Sequence, residues 1–358
     1  MSQSGSAPPG LRRPALPRLP QVHQIVLPTP WEVGPVQVYL VEGSPLTLID
    51  TGVRTPASRA ALEAAFDTLG HGLDEVERVV LTHYHADHLG QAQSLRDAGA
   101  RLEVWAHEDD AFLCENFSAE RDENIEGTAE LFRDFGVTEE LIERQTAMRR
   151  RWVAEDPLCD PTRVDRRLRH GDRVEFKDLA FAVIHAPGHT PGHILLHEEA
   201  SGTLISGDHI MGNAVPFTES FYQEGGPDPA DALARRPRFK GLPLYLGSLR
   251  ELRGGSFRAI LPAHGGIIER PARAIEDALL FYEVRIQRVL RALGKLTREG
   301  RPASAWELWQ QLFPKADPVT QMRTRMLMVI GILDRLEAKG RVVTERRSDG
   351  AFVHRPAG

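Results

Sequence analysis

The segment Leu81–Gly90, LTHYHADHLG, sets three histidines and an aspartate within six residues. Histidine is scarce elsewhere, at 14 of 358 residues, so the crowding belongs to this one stretch. The run leading into it, RVVLTH, is apolar and β-branched and reads as a buried strand. Side chains alternate along a strand, so His83 and His85 leave it on the same side. Asp87 and His88 then fall at the turn into a helix, where the backbone can aim both inward. Imidazole and carboxylate together are zinc-type ligands, and strand ends are where α/β proteins carry their sites.

Three other strand ends offer partners. IHAPGHTPGH supplies His189, LISGDHI supplies Asp208, and ILPAHGG supplies His264. Each follows an apolar run and is flanked by Gly or Pro, which permit close backbone approach. Around these sites the chain alternates strand and helix. VHQIVLP, VQVYLVEG and LTLID read as short strands, followed by a helix with Thr55 as N-cap, Pro56 in the first turn and Gly70 as stop. Asp87 to Gly99 reads as one helix and EVWAH as a strand. From about 108 to 170 EGTAELFRDFG and TEELIERQTAMRRRWV have helical spacing without strands between, which predicts a helical insertion. Strands resume with VEFKDLAFAVIHAPG, HILLHE and TLISGD. Residues 213–241 read as loop, and RPARAIEDALLFYEVRIQRVLRAL as a long helix. The class is α/β and layered.

Hydrophobic residues at 41% allow a core of ordinary size, and a net charge of −6 gives no whole-chain case for nucleic acid. Two cysteines, Cys114 and Cys159, cannot make a disulfide framework, which fits a reducing compartment. No apolar run reaches membrane-spanning length. The first 20 residues are rich in Pro, Ser and Gly and lack the apolar segment of a secretory signal, so they read as a disordered tail on a cytoplasmic protein.

The ordered set HYHADH, PGHTPGH, SGDH and PAHGG resembles the metallo-β-lactamase superfamily, over residues from about 22 to 270. The resemblance implies a four-layer αββα sandwich with a two-metal site on one edge. His83, His85 and His189 would hold one metal, Asp87, His88 and His264 the other, and Asp208 would bridge them. Asp50 in LIDTG is similar to the family's aspartate that orients a ligand histidine. The metals would be two divalent ions, zinc first, although iron or manganese also suits this ligand set. The best-known zinc β-lactamases place a cysteine where this chain has Asp208, and neither cysteine here lies in a motif. The pattern is instead similar to glyoxalase II-like hydrolases, which implies a metal-bridging hydroxide attacking a small-molecule ester or thioester. Two divalent ions less Asp87, Asp208 and hydroxide leave one positive charge, which favours a substrate that is or becomes anionic. Asp87 and Asp208 are the candidate catalytic carboxylates, with Asp87 also a proton shuttle.

His193, His209 and His185 are expected to pack or hydrogen-bond around the site. Phe217, Phe221 and Tyr222 are candidate pocket residues, with Tyr222 a candidate oxyanion donor. The insertion is a candidate lid, and its run Arg149-Arg150-Arg151 reads as a solvated face.

Beyond the hydrolase-like residues 21–283, the segment 284–358 reads as helix, helix, helix and hairpin, a winged-helix arrangement. Ser304 caps SAWELWQQLF, and Asp317-Pro318 starts a helix stopped by Gly340. Trp306, Trp309, Met322, Met326, Met328 and Leu333 fall at core-like spacing. From Arg285 onward 15 Lys/Arg face 7 Asp/Glu, an excess of eight, so the rest of the chain carries −14. The domain order resembles the lactamase-B-like 2 group, which includes a single-strand-directed endoribonuclease. Two partners follow: a small ester or thioester, or RNA held by the basic segment. A pocket-completing or dimer-forming role for the segment is the plainer expectation.

Overall fold

The structure, a computed structural model, describes residues 11–12, 19–99, 101–155, 158–298 and 301–357. The first sheet is laid down in chain order: β1 (Leu11–Arg12), β2 (Val22–Leu27), β3 (Val36–Val41), β4 (Thr47–Ile49), β5 (Arg78–Val80), β6 (Glu103–His107) and β7 (Arg166–Leu168). Pairing is antiparallel as far as β4 and parallel from there to β7. Helices α1 (Pro56–Leu69), α2 (Ala86–Leu89), α3 (Ala92–Ala98), α4 (Glu108–Glu115), α5 (Phe117–Asp134) and α6 (Glu139–Glu155) fill the crossovers. The last three lie between β6 and β7; the helical stretch expected over about 108–170 has its last helix end at Glu155, because β7 takes residues 166–168 back into the first sheet. The capping signals of α1 act as read: Thr55 accepts from the Ser58 amide at 3.2 Å, and Gly70 takes the left-handed conformation at φ 80°.

The second sheet begins with β8 (Arg173–Glu175), β9 (Ala180–His185), β10 (Ile194–Glu198) and β11 (Thr203–Gly207). The chain then leaves it for a hairpin, β12 (Ser220–Tyr222) and β13 (Arg238–Lys240), and a helix, α7 (Gly241–Leu252). It returns as β14 (Ala259–Pro262) beside β11, in parallel, giving the order β14–β11–β10–β9–β8.

Period-two alternation decides which core each strand face joins. In β3, Val36, Val38 and Leu40 pack with Leu62 and Phe66 of α1, while Tyr39 and Val41 turn inward. In β11, Leu204 faces Leu246 and Leu249 of α7, while Ile205 turns inward. The inward sets of both sheets form one cluster, with Val80 and Ile49 against Phe181, Val183 and Leu196. Helix, sheet, sheet, helix is therefore the layer order.

Beyond the sandwich, α8 (Pro271–Leu296) buries Ile275, Ala278, Tyr282, Ile286, Val289 and Leu293, spaced by three and four. It is followed by β15 (Ala303–Ser304), α9 (Ala305–Leu312), α10 (Met322–Ala338), β16 (Val342–Arg346) and β17 (Phe352–Pro356), with the strands in the order β15–β17–β16. Ser304 and Glu307 form a reciprocal capping box at the start of α9. Trp306, Trp309, Met322, Met326 and Leu333 are buried in the cluster that also holds Leu242, Tyr245 and Tyr282, and Met328 packs partly buried against it. One apolar core thus runs from the second sheet into the C-terminal segment, and the boundary expected at 283–284 falls inside α8. Two ion pairs tie the β12–β13 hairpin region to α10, Arg238–Asp334 at 2.6 Å and Arg235–Glu337 at 2.9 Å, and a third, Arg236–Glu130 at 2.7 Å, ties it to α5.

Several local readings change. The helix expected over 87–99 is two helices, because the His88 carbonyl accepts from the Thr51 amide and hydroxyl and the Gln91 amide donates to Thr51 Oγ1. The loop expected over 213–241 contains the β12–β13 hairpin, whose Phe221 and Phe239 rings stack at 5.2 Å across the pair. The helix expected from Asp317 begins at Met322, since the Asp317 carboxylate holds the Val319 and Thr320 amides in a turn. Of the expected tail at 1–20, residues 1–10 and 13–18 lie outside the described residues, Leu11–Arg12 pair with β2, and Leu19 is buried. No helix among the described residues is long and apolar enough to cross a membrane.

Candidate metal centre

All the strand ends singled out from the sequence meet at one edge. His83 and His85 follow β5, His189 follows β9, Asp208 follows β11 and His264 follows β14. Because β9 and β11 are both antiparallel to β10, and β14 is parallel to β11, these three present their C-terminal ends together. Potential ligand atoms of His83, His85 and His189 lie within 4.8 Å of one another, as do those of Asp87, His88 and His264, and those of His83, His88 and Asp208. Asp208 sits between the two groups: its carboxylate is 3.4 Å from His189 Nε2 and 3.5 Å from both His88 Nε2 and His264 Nε2.

Each of the five imidazoles has one nitrogen anchored away from the centre. His83 Nδ1 meets Thr82 Oγ1 at 3.1 Å, His88 Nδ1 meets Asp50 at 2.8 Å, and His85 Nε2 meets Glu219 at 3.1 Å. His189 Nδ1 donates to the Phe217 carbonyl at 2.7 Å and His264 Nδ1 to that of Pro35 at 3.0 Å. An acceptor on one ring nitrogen fixes the tautomer and turns the other lone pair inward. His83 Nε2 and His85 Nδ1 accordingly point at each other, 3.0 Å apart. His88 Nε2, His189 Nε2 and Asp208 Oδ1 are buried without a hydrogen-bond partner. Buried polar atoms left unmatched are costly, and a divalent cation would satisfy all three. The donor set therefore fits the group it was expected to hold.

Electrostatics agree. Burial, then the neighbouring His88, holds His83 well below the usual imidazole range, and burial, then His85, brings His189 down to about 4. Both stand neutral, as ligands must. Burial opposes charge on His88 and His264 as well, but Asp50, Asp87 and Asp208 outweigh it at His88, and Asp208 and Asp87 at His264, so both are raised. Those are the protons a cation would displace. The charged histidines likewise outweigh burial at Asp208 and keep it well below the carboxylate range.

Supporting residues bear out part of the reading around the site. Asp50 accepts from the Thr82 amide and hydroxyl, each at 2.8 Å, as well as from His88. His193 Nε2 accepts from the Asp208 amide at 3.2 Å. His209 is buried against Tyr245, and His185 stacks on His107 at 3.8 Å. His107, Asp109 and His185 form a fourth close group, but His107 Nδ1 accepts from the Asp109 amide and His185 Nε2 meets the Pro191 carbonyl.

Two residues without a sequence signal hold the site together. Asp110 accepts from the Tyr84 amide, Thr190 Oγ1 and the Gly192 amide, tying the HYHADH turn to PGHTPGH. A Cβ on Gly192 would stand 2.5 Å from the Asp110 amide nitrogen, so only glycine fits there. Glu219 binds Tyr84 Oη at 2.6 Å besides His85.

The centre opens into a cleft of about 1550 Å³ walled by the insertion, the β12 hairpin and the start of α10. Phe217, Phe221 and Tyr222 line it, as expected. Tyr222 does not serve as the oxyanion donor, because its hydroxyl is committed to Asp134 and burial lifts it far above its ordinary range. Arg149 is not on a solvated face: it is half-buried and lines the cleft, while Arg150 pairs with Glu126.

A buried histidine–carboxylate cradle on the edge of a two-sheet sandwich defines a metal-dependent hydrolase. The profile of the metallo-beta-lactamase superfamily matches residues 31–264, and the chain belongs to that superfamily. It is 30% identical to the probable metallo-hydrolase YqjP of Bacillus subtilis (strain 168), over 88% of this chain and 92% of that one. It is 25% identical to the beta-lactamase-like protein 2 homolog of Drosophila melanogaster, over 88% and 87%. A shorter stretch is 30% identical to a hydroxyacylglutathione hydrolase of Fuscovulum blasticum, over 45% and 56%. Among solved structures it is similar to the metallo-beta-lactamase family protein TTHA1429 of Thermus thermophilus, with a TM-score of 0.73, 26% identity and coverage of 94% and 99%.

Proposed function

We propose that this chain is a hydrolase that uses two divalent cations to cleave an ester or thioester of a small molecule. The observation that carries it is the convergence of seven side chains, with one nitrogen of each of the five rings anchored outside and His88 Nε2, His189 Nε2 and Asp208 Oδ1 left unmatched inside. In this reading His83, His85 and His189 would hold one ion, Asp87, His88 and His264 would hold the other, and Asp208 would be shared between them. Bound there, such ions would supply Lewis acidity for activating water and polarising the scissile carbonyl. Asp50, Glu219 and the Phe217 and Pro35 carbonyls keep the imidazoles aimed. Asp87 Oδ2, 3.1 Å from His264 Nε2, is the carboxylate we assign to moving the proton. Zinc suits the set first, with iron or manganese as substitutes.

Ester and thioester chemistry is supported by Asp208 in the bridging place and by the likeness to the hydroxyacylglutathione hydrolase. Residues 284–357 support a winged-helix-like reading through their strand order β15–β17–β16. Their role in this reading is to complete the cleft. Trp306 and Trp309 are buried and stacked on each other, so they offer no platform for bases. The test is Asp208→Ala. The variant should keep at most one equivalent of metal and lose on the order of a thousandfold in thioesterase rate. Two tightly held metals with an undiminished rate would sink the assignment.

A further inference from the structure

Arg149, on α6, and Arg323, in the first turn of α10, both line the cleft that holds His85, Asp87, His189, Asp208 and His264. Neither makes an ion pair among the described residues. Arg149 donates to Asn124 Oδ1 at 3.0 Å, a neutral acceptor. The Arg323 guanidinium stands 5.3 Å from the centre of the Phe217 ring, and its Nε is buried without a partner. Their neighbours on the cleft wall differ: Arg150 and Arg236 are matched by Glu126 and Glu130. The two unmatched charges also feel each other, since burial and then Arg323 draw Arg149 down to about 9. The nearby acid, Glu219, feels Arg323 across the cleft but makes no ion pair with it: its Oε1 is committed to His85 and Tyr84, and its Oε2 has no hydrogen-bond partner. Holding two like charges half-buried is unfavourable unless an anion sits between them, and guanidinium matches carboxylate and phosphate oxygens in a two-pronged geometry.

Phe217 fixes where that anion lies. Its carbonyl orients His189, its ring packs on His85 at 5.6 Å, and the same ring carries Arg323. Arg323 is therefore set one side chain away from the metal ligands, and Arg149 lines the same cleft close enough to Arg323 to feel its charge, so the pair faces a part of the substrate away from its reacting bond. We propose that Arg149 and Arg323 form an anion clamp, so that the ester or thioester cleaved here bears a carboxylate or phosphate group remote from the scissile carbonyl. The clamp deepens the hydrolase reading and rests on it for the identity of the molecule held. It also gives the C-terminal segment a direct part in recognition, through Arg323.

The test uses the full-length, metal-loaded protein and three thioesters of matched length ending in an amide, a carboxylate or a phosphate. One anionic substrate should exceed the amide in kcat/KM by at least about tenfold, and whichever anion wins identifies the group. Arg149→Gln and Arg323→Gln should each shrink that ratio, chiefly through KM, and the double variant should abolish it. Arg149→Lys should retain part of it, and guards against a folding artefact. Equal turnover of all three, or a ratio that survives in the double variant, overturns the clamp. If no thioester is cleaved, the hydrolase reading fails but the clamp is still read by calorimetry. Inorganic phosphate and succinate are titrated into wild type and double variant at two salt concentrations. A loss of at least about tenfold in affinity for either anion supports the clamp, and unchanged affinities for both overturn it.

Discussion

At the residue scale, each inward nitrogen of the centre depends on what grips the opposite nitrogen. Glu219 grips His85, and it is itself held by Tyr84. Glu219→Gln should therefore loosen one metal by roughly 10–100-fold, read by competition with a chromogenic chelator, while the other metal is retained. Equal loss of both, or of neither, would show that Glu219 is not the support of His85. The seven central residues were legible in the sequence because each sits beside a strand end and the first four share one short string. Asp110, Glu219, Arg149 and Arg323 were not. Each is a polar residue of a helix or loop with no motif around it, and its meaning arises only when segments distant in the chain are packed together. Arg149 in particular reads as solvated within RRR, whereas in the fold it lines a cleft shared with Arg323 of α10.

At the element scale, caps were read correctly where the signal is local, as with Thr55 and Ser304. Boundaries failed where a distant group competes for a backbone bond, as Thr51 does for the His88 carbonyl. The small sheet carries its own pH dependence. His354 on β17 is buried, with Nδ1 3.1 Å from Thr344 Oγ1, and burial, then Arg235 and Arg238, hold it down to about 3. The unfolded chain binds a proton near the ordinary imidazole value of about 6.5 while the folded one does not. Stability is therefore fully present above that value and is lost as pH falls toward 3. Replacing His354 with Gln should flatten the acid limb. Unfolding free energies from urea titrations at pH 7 and pH 4 should converge in the variant by an amount on the order of a few kcal/mol relative to wild type. An acid limb as steep as that of wild type would remove His354 from this account.

At the scale of the whole molecule, the sandwich and its metal edge were visible as alternating elements. The unity of the core was not, because it lies in how α8 and α10 meet α7. Gly331 of α10 is so close to α7 that a Cβ would stand 2.6 Å from Leu242. Removing residues 297–358 should therefore expose the shared cluster and yield protein that aggregates or melts broadly, measured by light scattering and calorimetry. A soluble, cooperatively melting remainder would show an independent domain. Titration with single-stranded RNA at two salt concentrations addresses the basic excess directly. Only weak binding is expected, and a tight affinity that falls steeply with salt would reverse the preference for a small substrate.

The cleft draws its potential metal ligands from the ends of strands and its two spare guanidiniums from helices that lie outside the two sheets. Bond breaking and choice of target are thus housed in separate stretches of chain. A few exchanges along α6 and the first turn of α10 would readdress the protein to another metabolite, with the cradle beneath left as it was.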